Sequence, residues 1–143
     1  MRPRPLHILV VDDDEDNAQS LGELFELEGH RATVVYSGDA AVAAFRNTAF
    51  DLAFMDVMMP EMGGFEATRI IRERQQQKSQ FPNYSSAITI VAMTASAMQG
   101  DREKCLAAGM DDYLAKPVRL DDVRAIVERW APAAGRTEPA EAE

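Results

Sequence analysis

"FDLAFMDVMMPEMGG", residues 50–64, decides how the chain folds. Leu52-Ala53-Phe54-Met55 is an apolar run of strand length, and an uninterrupted apolar run suits a strand buried on both faces. It ends on a single carboxylate, Asp56, and a loop of methionines, a proline and two glycines follows. The strand therefore presents one acid at its tip from a rigid, buried support.

Outward from this stretch the same strand character recurs. "HILVV" (7–11), "RATVVY" (31–36), "FDLAFMD" (50–56), "AITIVAM" (87–93) and "DDYLAK" (111–116) are short and largely apolar. Segments with helical spacing lie between them. Ala18, Leu21, Leu24 and Phe25 share one helical face, closed by Gly29. Ser37 is positioned to N-cap a helix carrying Ala41, Ala44 and Phe45. Phe65, Thr68 and Ile71 mark a third helix, and Leu106 and Ala107 lie in a fourth that stops at Gly109. Leu120, Val123, Val127 and Trp130 give a fifth, with Pro132 just past its end. Five β-α units in strict alternation predict an α/β fold: a doubly wound five-stranded parallel sheet, (βα)5 and flavodoxin-like, strand order 2-1-3-4-5. The folded domain is expected over residues 6–130. A disordered N-terminal arm (1–5), a disordered acidic C-terminal tail (131–143) and a long polar connection (75–86) fall outside the pattern.

Composition narrows the function. A chain of 143 residues that is 46% hydrophobic can bury one sizeable core. No apolar run approaches the roughly 20 residues of a membrane span, and "MRPRPLHILVVDDD" does not read as a signal peptide. The single cysteine, Cys105, excludes an intramolecular disulfide and suits a reducing cytoplasm. A formal charge of −9 argues against nucleic-acid binding, which needs a basic face.

In an open parallel sheet, ligands bind beyond the carboxyl ends of the strands, where the strand order reverses. Here that crevice lies between the first strand, ending at Asp12-Asp13-Asp14, and the third, ending at Asp56. Crowded carboxylates raise one another's pKa unless a cation joins them. Magnesium, with hard oxygen ligands and room for a phosphate, suits such a site. For Asp12 to Asp16 alone, capping the following helix is an equally good explanation. Asp56 is harder to dismiss that way, because Pro60 and the glycines intervene before the next helix. Thr94 and Lys116 end the fourth and fifth strands. Singly they read as a helix cap and a solvated charge. At the same end of adjacent strands, three acids, a hydroxyl and an ammonium make a site for a phosphoryl group on Asp56.

The motifs "ILVVDDDEDN", "FMDVMMPEMGG", "VAMTASAM" and "DDYLAKPV" together resemble the receiver domain of two-component response regulators over about residues 6 to 130. "MTASAMQGDREKCLAAGMDDYLAKPV" looks especially like receivers attached to hybrid sensor histidine kinases. The resemblance implies a signalling receiver, not a conventional enzyme, that catalyses its own phosphorylation and slow dephosphorylation. Asp56 would be the phosphoacceptor. Asp13, Asp56 and the backbone carbonyl of Met58 would bind Mg²⁺, with Asp12 acting through metal-bound water. Thr94 and Lys116 would hold phosphoryl oxygens, the Lys116–Pro117 bond would be cis, and Tyr113 would turn inward as Thr94 moves. Met58 and Ser96 would flank the path of hydrolytic water and set phosphate lifetime. The donor would be a phosphohistidine on a histidine kinase or a histidine phosphotransfer protein, and an unidentified downstream protein would read the switched face.

Three positions depart from the family's pattern. Gly63 replaces an Asp common there, Asp14 adds negative charge beside the acids, and Met58 carries no polar side-chain group. Rival functions fare worse. A haloacid-dehalogenase-type enzyme needs a second acid where Met58 stands. An FMN carrier wants a phosphate loop after the first strand, where three aspartates repel it. A phosphorylation-independent interaction module on the same fold is the remaining alternative. Two arrangements are expected of such a sequence, a single-domain regulator, which the Met1 start and both tails favour only weakly, or a receiver separated from a larger protein.

Overall fold

The computed structural model describes residues 5–48, 50–77, 80, 88–95 and 99–134. In chain order the elements are β1 (His7–Val11), α1 (Glu15–Leu27), β2 (Arg31–Val35), α2 (Gly38–Asn47), β3 (Leu52–Asp56), α3 (Gly64–Gln75), β4 (Thr89–Thr94), α4 (Gln99–Ala107), β5 (Asp112–Ala115) and α5 (Leu120–Ala134). The strands form one parallel sheet in the order β2-β1-β3-β4-β5, as the alternation predicts.

Successive side chains of a strand point to opposite faces, so the three inner strands feed two cores. Ile8, Val10, Leu52, Phe54, Val91 and Met93 pack with Ala18, Leu21 and Phe25 of α1 and with Val123, Ile126 and Val127 of α5. Leu9, Val11, Ala53, Met55, Ile90 and Ala92 face α2, α3 and α4, meeting Ala41, Phe45, Ala67, Ile71 and Cys105. Every residue of β3 and β4 is buried, which is why both read as apolar runs without alternation. Each large apolar side chain so buried contributes about 1.5–3 kcal/mol. The strand tips are therefore held by the best-packed part of the molecule.

The helix ends follow their sequence signals. Ser37 Oγ accepts the backbone N–H of Ala40 at 3.1 Å, and Gly29 and Gly109 take φ values of +93° and +102° after α1 and α4, a conformation glycine adopts without a Cβ clash. α5 departs from expectation. It runs to Ala134, so Pro132 lies in its last turn and not beyond it. A proline there removes one i→i−4 bond only, and the helix continues just two residues further. Residues 131–134 of the expected tail are thus helical, and 1–4 and 135–143 lie outside the described residues. Among the described residues, no helix is long and apolar enough to cross a membrane.

Candidate phosphoacceptor site

Register brings the four strand tips together. Val11 pairs with Met55 across β1 and β3, Asp56 with Met93 across β3 and β4, and Thr94 with Ala115 across β4 and β5. Asp12 and Lys116 are the next residues after β1 and β5. Two acids, a threonine and a lysine therefore stand at one rim within two residues' offset of one another.

Asp56 and Asp12 are buried, only 4% and 2% exposed, whereas Asp13 is exposed. One carboxylate oxygen from each of the three lies within 4.8 Å of the others. Lys116 Nζ bridges the two buried acids, 3.0 Å from Asp12 Oδ2 and 3.1 Å from Asp56 Oδ2. Each remaining oxygen takes a backbone donor: Asp14 N–H reaches Asp12 Oδ1 at 2.9 Å and Met58 N–H reaches Asp56 Oδ1 at 3.1 Å. The Lys116 N–H in turn donates to the Thr94 carbonyl at 2.8 Å. The Lys116–Pro117 peptide is cis, in agreement with the expectation.

Burial pushes the Asp56 carboxyl up; the Lys116 ammonium pulls it back and the Asp12 charge pushes it further up, leaving it at about 6. Burial works against the Lys116 charge, but hydrogen bonds to Asp12 and Asp56 and their negative charges outweigh it, so its pKa is raised. Near neutrality the pair is ionised: a buried carboxylate, able to act as a nucleophile, beside a cation. The donor set also suits a hard dication. Magnesium takes hard oxygen ligands from one or two carboxylates and keeps several waters, and the exposed Asp13 beside the two buried acids leaves room for them.

Thr94 ends β4 with a buried side chain. Tyr113 is half-buried and packs against the core on the α2–α4 side. Met58 projects outward with 74% of its surface exposed. Ser96 lies outside the described residues. The open question over the acidic run resolves residue by residue: Asp14 is the N-cap of α1, its Oδ1 accepting from Asn17 N–H at 3.1 Å, while Asp12 turns into the site. One contributor escapes a reading by residue chemistry. A Cβ on Gly64 would collide with the carbonyl oxygen of Asp56 and stand 3.0 Å from Val57 Cα, so this glycine lets α3 start directly against the phosphoacceptor candidate's backbone. Its signal was only the second glycine of "MGG".

Comparisons with known proteins agree with this geometry. The response regulator receiver domain family model matches residues 8–128. The chain is 40% identical over 129 residues to hybrid signal transduction histidine kinase G of Dictyostelium discoideum, covering 89% of this chain and 4% of that protein. It is 39% identical over 127 residues to the sensor protein GacS of Pseudomonas syringae pv. syringae, covering 89% of this chain and 14% of that protein. The chain thus spans a small part of these curated relatives' length. Among solved structures, the receiver domain of sensor histidine kinase PA1611 from Pseudomonas aeruginosa, with a magnesium ion coordinated in its active site cleft, superposes with a TM-score of 0.75 at 37% identity, covering 90% of this chain and 98% of that one. A chain of the Saccharomyces cerevisiae co-crystal structure of the histidine phosphotransfer protein Ypd1 with the receiver domain of Ssk1 superposes with a TM-score of 0.82 at 30% identity, covering 92% and 91%.

Proposed function

The chain belongs to the family of response regulator receiver domains, and from that premise we propose that Asp56 accepts a phosphoryl group from a phosphohistidine, with Mg²⁺ bound, in a two-component phosphorelay. The observation that carries this reading is the buried Asp56 carboxylate, paired with Lys116 at 3.1 Å and clustered with Asp12 and Asp13. An ionised carboxylate attacks phosphorus without a general base. The new bond is Asp56 O–P and the bond broken is N–P of the donor imidazole, which keeps the electron pair and, protonated on its other ring nitrogen, leaves as neutral imidazole. Catalysis then reduces to alignment and charge neutralisation.

Asp13, Asp56 and the Met58 carbonyl would hold the magnesium ion, with Asp12 engaging its bound water. When bound, the ion supplies charge neutralisation for the phosphoryl oxygens. Lys116 would pass from the carboxylates to a phosphoryl oxygen, and the Thr94 hydroxyl would donate to another. Movement of Thr94 would let Tyr113 turn inward, biasing the face made by α4, β5 and α5 between two arrangements. The magnesium in the PA1611 receiver supports the cation, and the Ypd1 complex supports a histidine phosphotransfer protein as donor. A cavity of about 350 Å³, with Leu21, Leu24, Met93 and Val118 in its wall, opens beside Asp12 and Lys116 and offers a donor protein apolar footing at the rim.

The test is phosphotransfer from a histidine phosphotransfer protein labelled on its histidine. Label is expected to move to the chain with Mg²⁺ present, and neither with chelator nor with Asp56→Asn. Transfer to Asp56→Asn at the wild-type rate would refute the assignment.

A further inference from the structure

Met58 is the exposed methionine beside the phosphoacceptor candidate. Its side chain is 74% exposed, while Met55, Met93 and Met110 are 0%, 1% and 3% exposed. Met59 and Met62 are partly buried against the α2–α4 core. Its backbone is pinned by the Met58 N–H to Asp56 Oδ1 bond of 3.1 Å, so the exposed side chain starts from a point next to the Asp56 carboxylate. Exposure controls how fast a methionine meets a peroxide, and oxidation turns an apolar side chain into a polar one. Among the described residues, Met58 combines both properties: access to oxidant and a fixed place at the site.

We propose that Met58 is a site of reversible oxidation by hydrogen peroxide, and that its sulfoxide shortens the life of the phosphoryl group on Asp56. The second half rests on the phosphoacceptor reading above. In the oxidation step a sulfur lone pair attacks one peroxide oxygen. The S–O bond forms as the O–O bond breaks, and the departing hydroxide takes the hydrogen of the transferred oxygen and leaves as water. Sulfur loses two electrons and the peroxide gains them. The sulfoxide oxygen is a strong, uncharged acceptor. It adds no repulsion to the acidic cluster, yet supplies the polar group that the thioether lacks for orienting a water near Asp56. Reduction by a methionine sulfoxide reductase restores the thioether, two thiols being oxidised to a disulfide and the sulfoxide oxygen leaving as water.

The full chain is treated with limiting hydrogen peroxide and the methionines are mapped by peptide mass spectrometry. Met58 is expected to gain one oxygen about ten times faster than Met55, Met93 or Met110. Equal rates, or faster oxidation of the buried three, overturn the modification. Oxidised and untreated chains are then loaded with acetyl phosphate and Mg²⁺, the donor is removed, and phosphate loss is followed. A roughly two- to tenfold faster loss after oxidation is expected, abolished by reductase treatment and absent from peroxide-treated Met58→Leu. An unchanged rate overturns the effect on lifetime, and the same acceleration in Met58→Leu assigns it to another methionine and overturns it equally. If Asp56 accepts no phosphoryl group in untreated chain, the phosphoacceptor reading fails and the lifetime claim with it, while the oxidation map still decides the modification.

Discussion

Replacing Asp56 with asparagine is expected to stabilise the metal-free protein. The carboxyl titrates at about 6 instead of 3.8 because its burial disfavours the charge more than Lys116 favours it. At about 1.4 kcal/mol per pKa unit, the ionised form costs the fold up to about 3 kcal/mol. Asparagine removes that charge and keeps a carbonyl oxygen for Lys116, which also retains Asp12 at 3.0 Å. The sign follows from linkage. A group whose folded pKa is raised contributes its stability below the unfolded value of 3.8 and loses it as pH rises through about 6. The advantage of Asp56→Asn is therefore small near the lower value, grows between the two and is constant above. Urea unfolding in chelator at neutral pH should show the variant more stable by about 1–3 kcal/mol, a midpoint shift of roughly 0.5–2 M. Magnesium at about ten times its Kd should return about 1.4 kcal/mol to the wild type and little to the variant. A variant equally or less stable in chelator at neutral pH, or an advantage that does not change as pH falls through about 6, would refute the reasoning.

Other substitutions separate the roles around the site. Asp14→Ala removes the α1 cap and should cost about 1 kcal/mol in urea unfolding, while magnesium affinity by titration stays within about twofold because Asp14 is not among the clustered ligands. Thr94→Ala should still accept phosphate but show much smaller amide NMR shifts along α4, β5 and α5 on adding beryllofluoride; shifts as large as the wild type's would contradict the switching role. Met58→Asn supplies a polar group without touching the backbone carbonyl, so its phosphorylated form should lose phosphate a few-fold faster at nearly unchanged magnesium affinity. An equal or slower rate would show that Met58 does not limit the lifetime.

The sheet is legible in the sequence because burial on both faces leaves β3 and β4 with no polar alternation, and because Ser37, Gly29 and Gly109 carry local turn and cap chemistry that tertiary contacts do not override. The site is legible for a related reason: parallel strands put their C-terminal residues at one rim, so strand-end acids must meet. What escapes is long-range polar pairing. Arg72 donates to the Gly109 carbonyl at 2.8 Å, the Ile88 carbonyl at 3.1 Å and Asp111 Oδ2 at 2.7 Å, while Ile90 N–H shares that same carboxylate oxygen. This ties α3 to β4 and to the turn before β5, yet nothing local marks Arg72 as different from its exposed neighbour Arg69. Likewise Asp112, at the start of β5, accepts from Arg129 and Trp130 of α5 at 2.7 and 2.9 Å, a pairing only the folded chain brings about. The end of α5 is misjudged by the proline rule for a simpler reason: Pro132 falls in a final turn, where one lost hydrogen bond does not stop the helix.

The central claim, that Asp56 is the residue that carries the phosphoryl group, is tested most directly by trapping the acyl phosphate. The chain is incubated with acetyl phosphate and Mg²⁺, reduced with borohydride, digested and sequenced by mass spectrometry. Homoserine at position 56 alone, at close to one per chain and absent without Mg²⁺, is the expected result. Homoserine at Asp12 or Asp13, or none at position 56 under conditions where the chain gains a phosphoryl group, would contradict it.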